Sequence, residues 1–449
     1  MRPDLIEKYD LRVPRYTSYP TAPHFAPTVG ADTYARWLGA LEVDTPLSLY
    51  LHIPYCAEMC WFCGCHTKAT HKYAPVGDYL AALWEEMRLV AAALPGRMRV
   101  DHVHFGGGSP TLLTAEDFTH TLAELRLLFD VTAEADIAVE LDPRTAKQAY
   151  IEAMATAGVT RASIGVQDFD ERVQRVINRI QPYDVTAQVV TWLRAAGIDA
   201  INMDLVYGLP YQTVESVIDM AEKTVEIEPA RVALFGYAHV PWMKPHQKLI
   251  PEAALPDMAE RWAQYEAASN VLKAAGYVTV GLDHFAHPAD SMARAARAGT
   301  LHRNFQGYTT DEAAVLIGLG ASGIGSLPQG YVANEVAIDG YKRRVQAGEL
   351  PIARGIEVTD EDRLRRAIIE RLMCDLRVDL DAISGAYGRN EAEFGAELIE
   401  LERLAGDGLV TVDGRCIAIT EEGRPLMRAV CAVFDTYLAH GTAKHSQAV

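Results

Sequence analysis

From residue 47 onward, short apolar runs alternate with longer stretches in which apolar residues recur every three or four positions. The short runs read as strands: Leu47–His52, Val100–Phe105, Ile137–Leu141, Arg161–Val166, Ile201–Val206 and Arg231–Tyr237, with Tyr277–Leu282 as a further candidate. The stretches between them have legible helix ends. Asp78 precedes Tyr79, Leu80, Leu83, Trp84 and Met87 at helical spacing, and Pro95-Gly96 stops that helix. Thr114-Ala-Glu-Asp117 resembles a capping box, and Gly158, Gly197 and Gly276 end later helices. Near-continuous apolar strands alternating with helices predict a parallel sheet covered by helices. Six such units predict an α/β fold built on a partial (β/α)6 TIM-like barrel.

The pattern divides the chain into three segments. Residues 1–45, rich in Pro, Tyr and Thr, read as an irregular N-terminal arm. Residues 46–355 carry the barrel. Residues 356–449 turn helical and then place two short apolar runs around Asp413-Gly414, which predicts a small, mostly helical, winged-helix-like domain. Its acidic surroundings speak against DNA binding and favour a lid or packing role.

With 449 residues, 49% of them hydrophobic, the chain can bury one large core and a smaller one. Its apolar runs fall short of the roughly 18–20 residues that cross a bilayer, and Met1-Arg-Pro-Asp-Leu-Ile-Glu7 lacks a signal-peptide pattern. Both point to the cytoplasm. A net charge of -18 disfavours general binding to nucleic acid or anionic membranes, so an anionic substrate must be met by local cations.

The densest chemistry follows the first strand, where Cys56, Cys60, Cys63 and Cys65 stand within ten residues. Soft sulfur at that density selects an iron–sulfur cluster or zinc. A closed set of four thiolates on structural zinc stays open on spacing alone, although a second Cys/His knuckle does not follow. A disulfide framework fits worse, because Cys374, Cys416 and Cys431 are scattered. Other polar residues fall where a barrel gathers its chemistry, at the C-terminal strand ends. These are Gly106-Gly107-Gly108-Ser109-Pro110, Glu140 with Asp142, Gln167, Asp204 and Tyr237-Ala238-His239. Any one of them alone reads as a cap or a solvent-facing residue. The glycines match neither a P-loop nor a dinucleotide fingerprint; they offer close approach and exposed backbone groups for an amino-acid-like ligand. A nucleophile–His–acid constellation is not evident.

C-x3-C-x2-C after a strand, a glycine edge and carboxylates on a partial barrel together resemble the radical S-adenosylmethionine superfamily. Within it the chain is similar to the oxygen-independent coproporphyrinogen III oxidase family. That likeness rests on Pro14-Arg-Tyr-Thr-Ser-Tyr-Pro-Thr21, the Cys-Gly-Cys65 ending, Gly165-Val-Gln-Asp-Phe169, Asn202-Met-Asp-Leu-Val-Tyr-Gly-Leu-Pro210, Asp283-His-Phe-Ala286, His302-Arg-Asn-Phe-Gln-Gly-Tyr308 and Phe434-Asp-Thr-Tyr-Leu438.

The resemblance implies a 4Fe-4S cluster held by Cys56, Cys60 and Cys63, with the open iron chelated by S-adenosylmethionine. A 5'-deoxyadenosyl radical then converts two propionates of coproporphyrinogen III to the vinyls of protoporphyrinogen IX in haem synthesis. It implies Tyr50, Gly107, Glu140 and Ile324 around that cofactor. Phe62, Gly108, Ser109, Gln167, Arg179, Asp204 and Ala238 would surround a second S-adenosylmethionine. Cys65 corresponds to the family's fourth cysteine, tied to activity without being a cluster ligand. The usual Gly-Gly-Gly-Thr-Pro reads Gly-Gly-Gly-Ser-Pro here, which keeps the hydroxyl. An electron donor such as flavodoxin or ferredoxin and a monomeric state are also expected. Arg15, Lys244, His302 and Arg303 are the candidate cations for the substrate's propionates. The rival readings are a haem-chaperone relative, which typically lacks the Tyr-rich arm and the Cys-Gly-Cys form, and a structural zinc protein.

Overall fold

Each strand read from the central sequence is present in the computed structural model, which describes Leu5, Lys8, Tyr9 and residues 12–389 and 394–438. Six strands run parallel in chain order: β1 (Leu47–Ile53), β2 (Arg99–Gly107), β3 (Asp130–Leu141), β4 (Arg161–Gln167), β5 (Ala200–Tyr207) and β6 (Arg231–Gly236). Helices α1 (Ala74–Ala93), α2 (Ala115–Leu128), α3 (Gln148–Thr156), α4 (Tyr183–Ala195) and α5 (Val214–Ile227) lie between successive strands. Beyond β6, and after helix α6 (Met258–Ala274), come two short antiparallel strands, β7 (Val278–Val280) and β8 (His284–Ala286).

The other flank of β1 was not legible. There β9 (Val315–Leu319) pairs with β1 in parallel, and β10 (Ile324–Leu327), β11 (Gly330–Asn334) and β12 (Ile352–Glu357) continue antiparallel. These runs are short and studded with Gly318, Gly320, Gly323 and Gly325, which obscures the strand pattern. The order is β12-β11-β10-β9-β1-β2-β3-β4-β5-β6-β8-β7, and its two edge strands do not pair. The α/β class and the partial barrel hold, with seven parallel strands at its centre rather than six.

The strands are not near-continuous apolar. Ile137, Val139 and Leu141 are buried under the helices, while Ala138 and Glu140 between them stay partly open. Ala162, Ile164 and Val166 alternate in the same way with Arg161, Ser163, Gly165 and Gln167, and Ile201 and Met203 with Asn202 and Asp204. Successive side chains leave opposite faces of a strand, so the helix-covered face is greasy and the inner face forms a polar, solvent-reached cleft.

Thr114 Oγ1 accepts the Asp117 N–H at 3.1 Å, but the Asp117 carboxylate takes the Tyr73 hydroxyl instead of closing a capping box. Gly158, Gly197 and Gly276 adopt the left-handed conformation that ends a helix, with φ of 94°, 86° and 92°.

The N-terminal segment is less irregular than its composition suggests. Residues Ala31–Gly39 form a helix that buries Tyr34, Trp37 and Leu38 against the main core. The preceding tyrosines are interior: Tyr9, Tyr16 and Tyr19 pack into a second core with α7 (Asp360–Asp375), α8 (Gly395–Gly406) and α9 (Met427–Ala432). Tyr16 donates to Asp435 at 3.0 Å, and Tyr19 lies 3.0 Å from the Thr436 hydroxyl. The Asp413-Gly414 hairpin forms as β14 (Val410–Asp413) and β15 (Cys416–Ile419), joined by a third, unread strand β13 (Arg377–Asp379). Strand β12 crosses the division expected between residues 355 and 356. The ends of the expected first and third segments, residues 1–4 and 439–449, lie outside the described residues.

Glu86 on α1 ties this framework together. Its carboxylate accepts bonds from Gly320 N, Tyr341 Oη and Asn334 Nδ2, each at 2.6 Å. Glu86→Ala deprives Gly320 N and the Tyr341 hydroxyl of their acceptor, while Asn334 Nδ2 keeps Gly320 O at 2.8 Å, and is expected to cost about 3 kcal/mol of stability, read by thermal or denaturant unfolding. Burial pushes the carboxyl from 4.5 up to about 7, with the three bonds opposing it. A folded value above the unfolded one means that this group's contribution is complete below pH 4.5 and is lost as pH rises through 7. Glu86→Ala should remove that slope from the pH profile.

Candidate active site at the C-terminal strand ends

Strand β1 delivers the cysteine loop to the rim of the cleft, and β2 delivers the glycines beside it, with Ile53 opposite Gly107. The glycines dock the loop. A Cβ at Gly108 would overlap the carbonyl oxygens of Tyr55 and Ile53, and one at Gly107 the His52 ring. Gly108 N donates to Ile53 O at 2.8 Å, Ser109 N to Tyr55 O at 2.7 Å and Gly107 N to Glu140 Oε2 at 3.1 Å. These N–H groups are therefore used inside the protein, contrary to the expectation that they face a ligand.

All four cysteines of the loop are free thiols. Among the described residues, no three His, Cys, Asp or Glu side chains converge on a point where one ion could bind. Each expected cluster ligand has a donor at its sulfur. Thr67 Oγ1 lies 3.2 Å from Cys56, and Cys65 N donates to Cys63 at 3.4 Å. Arg144 Nη2 and Arg179 Nη1 donate to Cys60 at 3.4 and 3.6 Å. Donors aimed at sulfur stabilise thiolates and the cluster they hold, so the residues fit a cysteine-ligated iron–sulfur cluster. Cys65 differs from the other three. Its hydrogen bond to Cys63 pushes its own thiol up and the Cys63 thiol down, which makes it a donor to its neighbour, and it is the exposed cysteine of the loop.

Asp142 anchors the two guanidiniums. Arg144 Nη2 lies 2.7 Å and Arg179 Nη2 3.4 Å from its carboxylate. Burial pushes Asp142 up, but the charge of Arg179 and the bonds of Arg144 outweigh it and hold it below its ordinary value. Removing the Arg144 fork should make a bound cluster harder to reduce, because hydrogen bonds to sulfur raise its potential. Arg144→Met is therefore expected to keep the cluster's absorption while shifting its midpoint to a more negative value in a redox titration.

The residues expected around one cofactor share one side of the rim. Tyr50 stands opposite Gly318 in the β1–β9 register, and Gly318 lacks a Cβ where the Ile324 backbone crosses it. The Tyr50 ring stacks on His104 at 5.6 Å, and His104 Nε2 lies 3.1 Å from Glu140 Oε1. Burial pushes the Glu140 carboxyl up, but its bonds from His104 and Gly107 prevail and hold it below its ordinary value.

The second group lies toward β6. Gln167 ends β4 in a left-handed conformation, φ 71°, unusual for a residue with a side chain. Asp204 accepts from Asn202 at 2.8 Å and Ser163 at 3.2 Å, and burial, then the charge of Glu140, push it up to about 6. Arg179 donates to Gly165 O at 2.6 Å. Gln247 Nε2 donates to Phe62 O at 2.9 Å and to Ala238 O at 3.3 Å, drawing those residues together. Ser109 is buried, and its hydroxyl lies 2.7 Å from Thr111 Oγ1, so it does not offer that hydroxyl to the cleft.

Of the four candidate cations, Arg15 and Arg303 share a cavity of about 750 Å³ beyond Tyr237 and Ala238. The other two go elsewhere. Lys244 Nζ donates to Cys65 O at 3.0 Å and thus clamps the cysteine loop, while His302 pairs with Glu370 at 3.0 Å. Sequence reasoning missed His52, His104, Arg144, His246 and Gln247. His104 had a signal, a polar residue at period two in an apolar strand. His246, 2.7 Å from Cys63 O, had none.

Comparison with known proteins gives a consistent picture. The Radical SAM superfamily model matches residues 50–224, and the HemN C-terminal domain model residues 358–426. The oxygen-independent coproporphyrinogen III oxidase of Bradyrhizobium diazoefficiens is 50% identical over 100% of both chains. That of Paracoccus denitrificans is 42% identical, covering 96% of this chain and 95% of its own. Among solved structures, the coproporphyrinogen III oxidase HemN of Escherichia coli, a radical SAM enzyme, superposes with a TM-score of 0.91 at 36% identity, covering 95% of this chain and 100% of that one.

Proposed function

The chain belongs to the oxygen-independent coproporphyrinogen III oxidase family, and from that premise we propose that the cleft above β1–β6 is its active site. The enzyme is a radical S-adenosylmethionine oxidoreductase of anaerobic haem biosynthesis. It oxidatively decarboxylates two propionates of coproporphyrinogen III to vinyls, giving protoporphyrinogen IX. The observation that carries the site assignment is the set of three free thiols, each met by an N–H or O–H donor, docked on Gly107-Gly108 at the head of a polar cleft.

Cys56, Cys60 and Cys63 would hold the 4Fe-4S cluster. Together, the cluster and S-adenosylmethionine, when bound, supply the one-electron chemistry that takes a hydrogen atom from a propionate β-carbon. The protein's share is placement. Glu140, kept ionised by His104 and Gly107 N, offers a fixed carboxylate to a cationic ligand beside Tyr50 and Ile324. Two S-adenosylmethionine sites are supported by the separation of this group, on β1–β3 and β10, from Gln167, Asp204 and Ala238 on the β4–β6 side, with Phe62, Gly108, Ser109 and Arg179 between the cysteine loop and that side. A proton-transferring base at carbon is not required, since the hydrogen leaves as an atom and the substrate radical then loses carbon dioxide together with one electron, which passes to an external acceptor. Cys65, exposed beside Cys63, is assigned to activity. A flavodoxin or ferredoxin donor, a monomeric state and a cytoplasmic location belong to the same reading. Among the described residues no helix is long and apolar enough to cross a membrane.

The test is anaerobic. After cluster reconstitution, S-adenosylmethionine, a reductant and coproporphyrinogen III are added, and 5'-deoxyadenosine and tetrapyrrole products are followed together. Both should form. Cofactor cleavage without decarboxylation, even with cell extract supplying an electron acceptor, would replace the oxidase reading with that of a haem-chaperone relative.

A further inference from the structure

Beyond β6 the cleft opens into the cavity of about 750 Å³, within the roughly 300–1,000 Å³ typical of ligand sites. Its walls carry Arg12, Arg15, Arg261, Arg303 and Arg428 against two carboxylates, Asp257 and Asp283. This concentration of cations stands inside a chain of net charge -18. The guanidiniums come from four separate stretches: the arm, α6, the ribbon at residues 302–309 and α9 of the C-terminal module. Asp283 attracts Arg15, Arg303 and Arg428, one carboxylate among five guanidiniums. Asp257 caps α6 by accepting from Glu260 N at 2.9 Å, and Asp283 is engaged by His284 at 2.7 Å.

Two side chains in this wall, Arg303 and Trp262, hold buried donors that meet no acceptor among the described residues. Arg303 Nη2 donates to Arg15 O at 3.3 Å, but its Nε and Nη1 are buried and meet no acceptor among the described residues. Trp262 Nε1, in the same wall, also lacks one. Arg261 lies over the Tyr207 ring, in space that glycine at positions 208 and 236 leaves open. Burial pushes the Arg428 guanidinium down to about 10, and the charge of Arg15 adds to the effect. Like charges collected in partly buried space call for a polyanionic ligand, and planar forks favour carboxylates. Tyr207, Phe235, Tyr237, Trp242 and Phe305 supply the flat apolar remainder.

Given the oxidase reading, which this inference rests on, the substrate presents two kinds of carboxylate. The two that react must reach the cleft over Glu140 and Asp204, and each departs as neutral carbon dioxide. A carboxylate clamped by buried guanidiniums is badly placed to leave, because its loss strands their charge. We propose that Arg15, Arg261, Arg303 and Arg428, grouped around Asp283, seat the two propionates that the reaction leaves intact. The same grip then holds the macrocycle before and after each decarboxylation, and the arm and the C-terminal module serve as walls of the site.

The seat can be tested with the oxidised porphyrins, which bind without turnover. Quenching of tryptophan fluorescence would follow coproporphyrin III, protoporphyrin IX and the methyl esters of both. Both free acids should bind within about tenfold of each other, and each ester at least about tenfold more weakly, with salt weakening only the acids. Arg261→Met and Arg303→Met, checked for an unchanged melting temperature, should each weaken both acids by about tenfold or more. Arg303→Lys should recover part of the loss. Protoporphyrin IX binding no better than its ester would overturn the seat, and so would variants that lose coproporphyrin III alone, since the arginines would then hold the reacting pair. The ester comparison needs only the wild-type protein and decides the matter even if both variants misfold. Failure of the wild type to bind either acid would sink the oxidase reading as well, which separates the two outcomes.

Discussion

Cys56→Ala is expected to yield a colourless protein without measurable decarboxylation, whereas Cys65→Ser keeps the brown chromophore and loses turnover. The two residues lie nine positions apart on one loop, yet their surroundings differ. Cys56 is partly buried beside Thr67, and burial pushes its thiol up to about 11. Such a sulfur carries charge only when a metal takes the proton's place, so truncation removes a cluster corner outright. Cys65 is exposed, and its backbone N–H supports Cys63. A serine keeps that N–H, so iron and sulfide content should be retained. Iron and sulfide analysis of both reconstituted variants, with the absorption spectrum, checks the division. Equal iron loss in the two would end it.

Gly108→Ala should reduce activity on the order of a hundredfold, from a single methyl group. The new Cβ would sit against the carbonyl oxygens of Tyr55 and Ile53, which are backbone and have no rotamer to change. The loop base must then move away from β2, stretching the Gly108–Ile53 and Ser109–Tyr55 bonds, and a displacement of about 1 Å at a reacting centre costs about 10²-fold. Glycine 96, by contrast, has open space around its missing Cβ, so Gly96→Ala serves as a neutral control. The assay is turnover per bound cluster. If Gly108→Ala retains more than half of it, the docking role assigned to the glycines is wrong.

Much of the site was legible because its residues are short-range patterns. Cysteines at fixed spacing, glycines after an apolar run and a carboxylate at a strand end need no knowledge of the fold. Glu140 and Asp204 could be placed at the rim from their position in β3 and β5 alone. The inner-face alternation was equally visible in Ser163-x-Gly165-x-Gln167 and Asn202-x-Asp204, yet it was read past in favour of the apolar residues between them. The role of the glycines was half right: close approach was foreseen, but their N–H groups are consumed by the loop they dock.

Other features depended on distance along the chain. Arg144 reaches Cys60, 84 residues away, and His246 reaches Cys63 across 183. Arg15 meets Arg303, 288 residues on, only because the arm's tyrosines are drawn into the C-terminal core. Strand β9 pairs with β1 although more than 260 residues separate them.

By itself the sequence determined the alternation of strands and helices, the chemistry of the cysteine loop and the rim on which it sits, since periodicity and ligand spacing act over a few residues. Only the tertiary structure decided which groups surround each cysteine, which guanidiniums face Cys60 and which arginines share a cavity. Those outcomes follow from hydrophobic burial of the arm and the closing of β9 onto β1, which bring charges together that no local pattern relates.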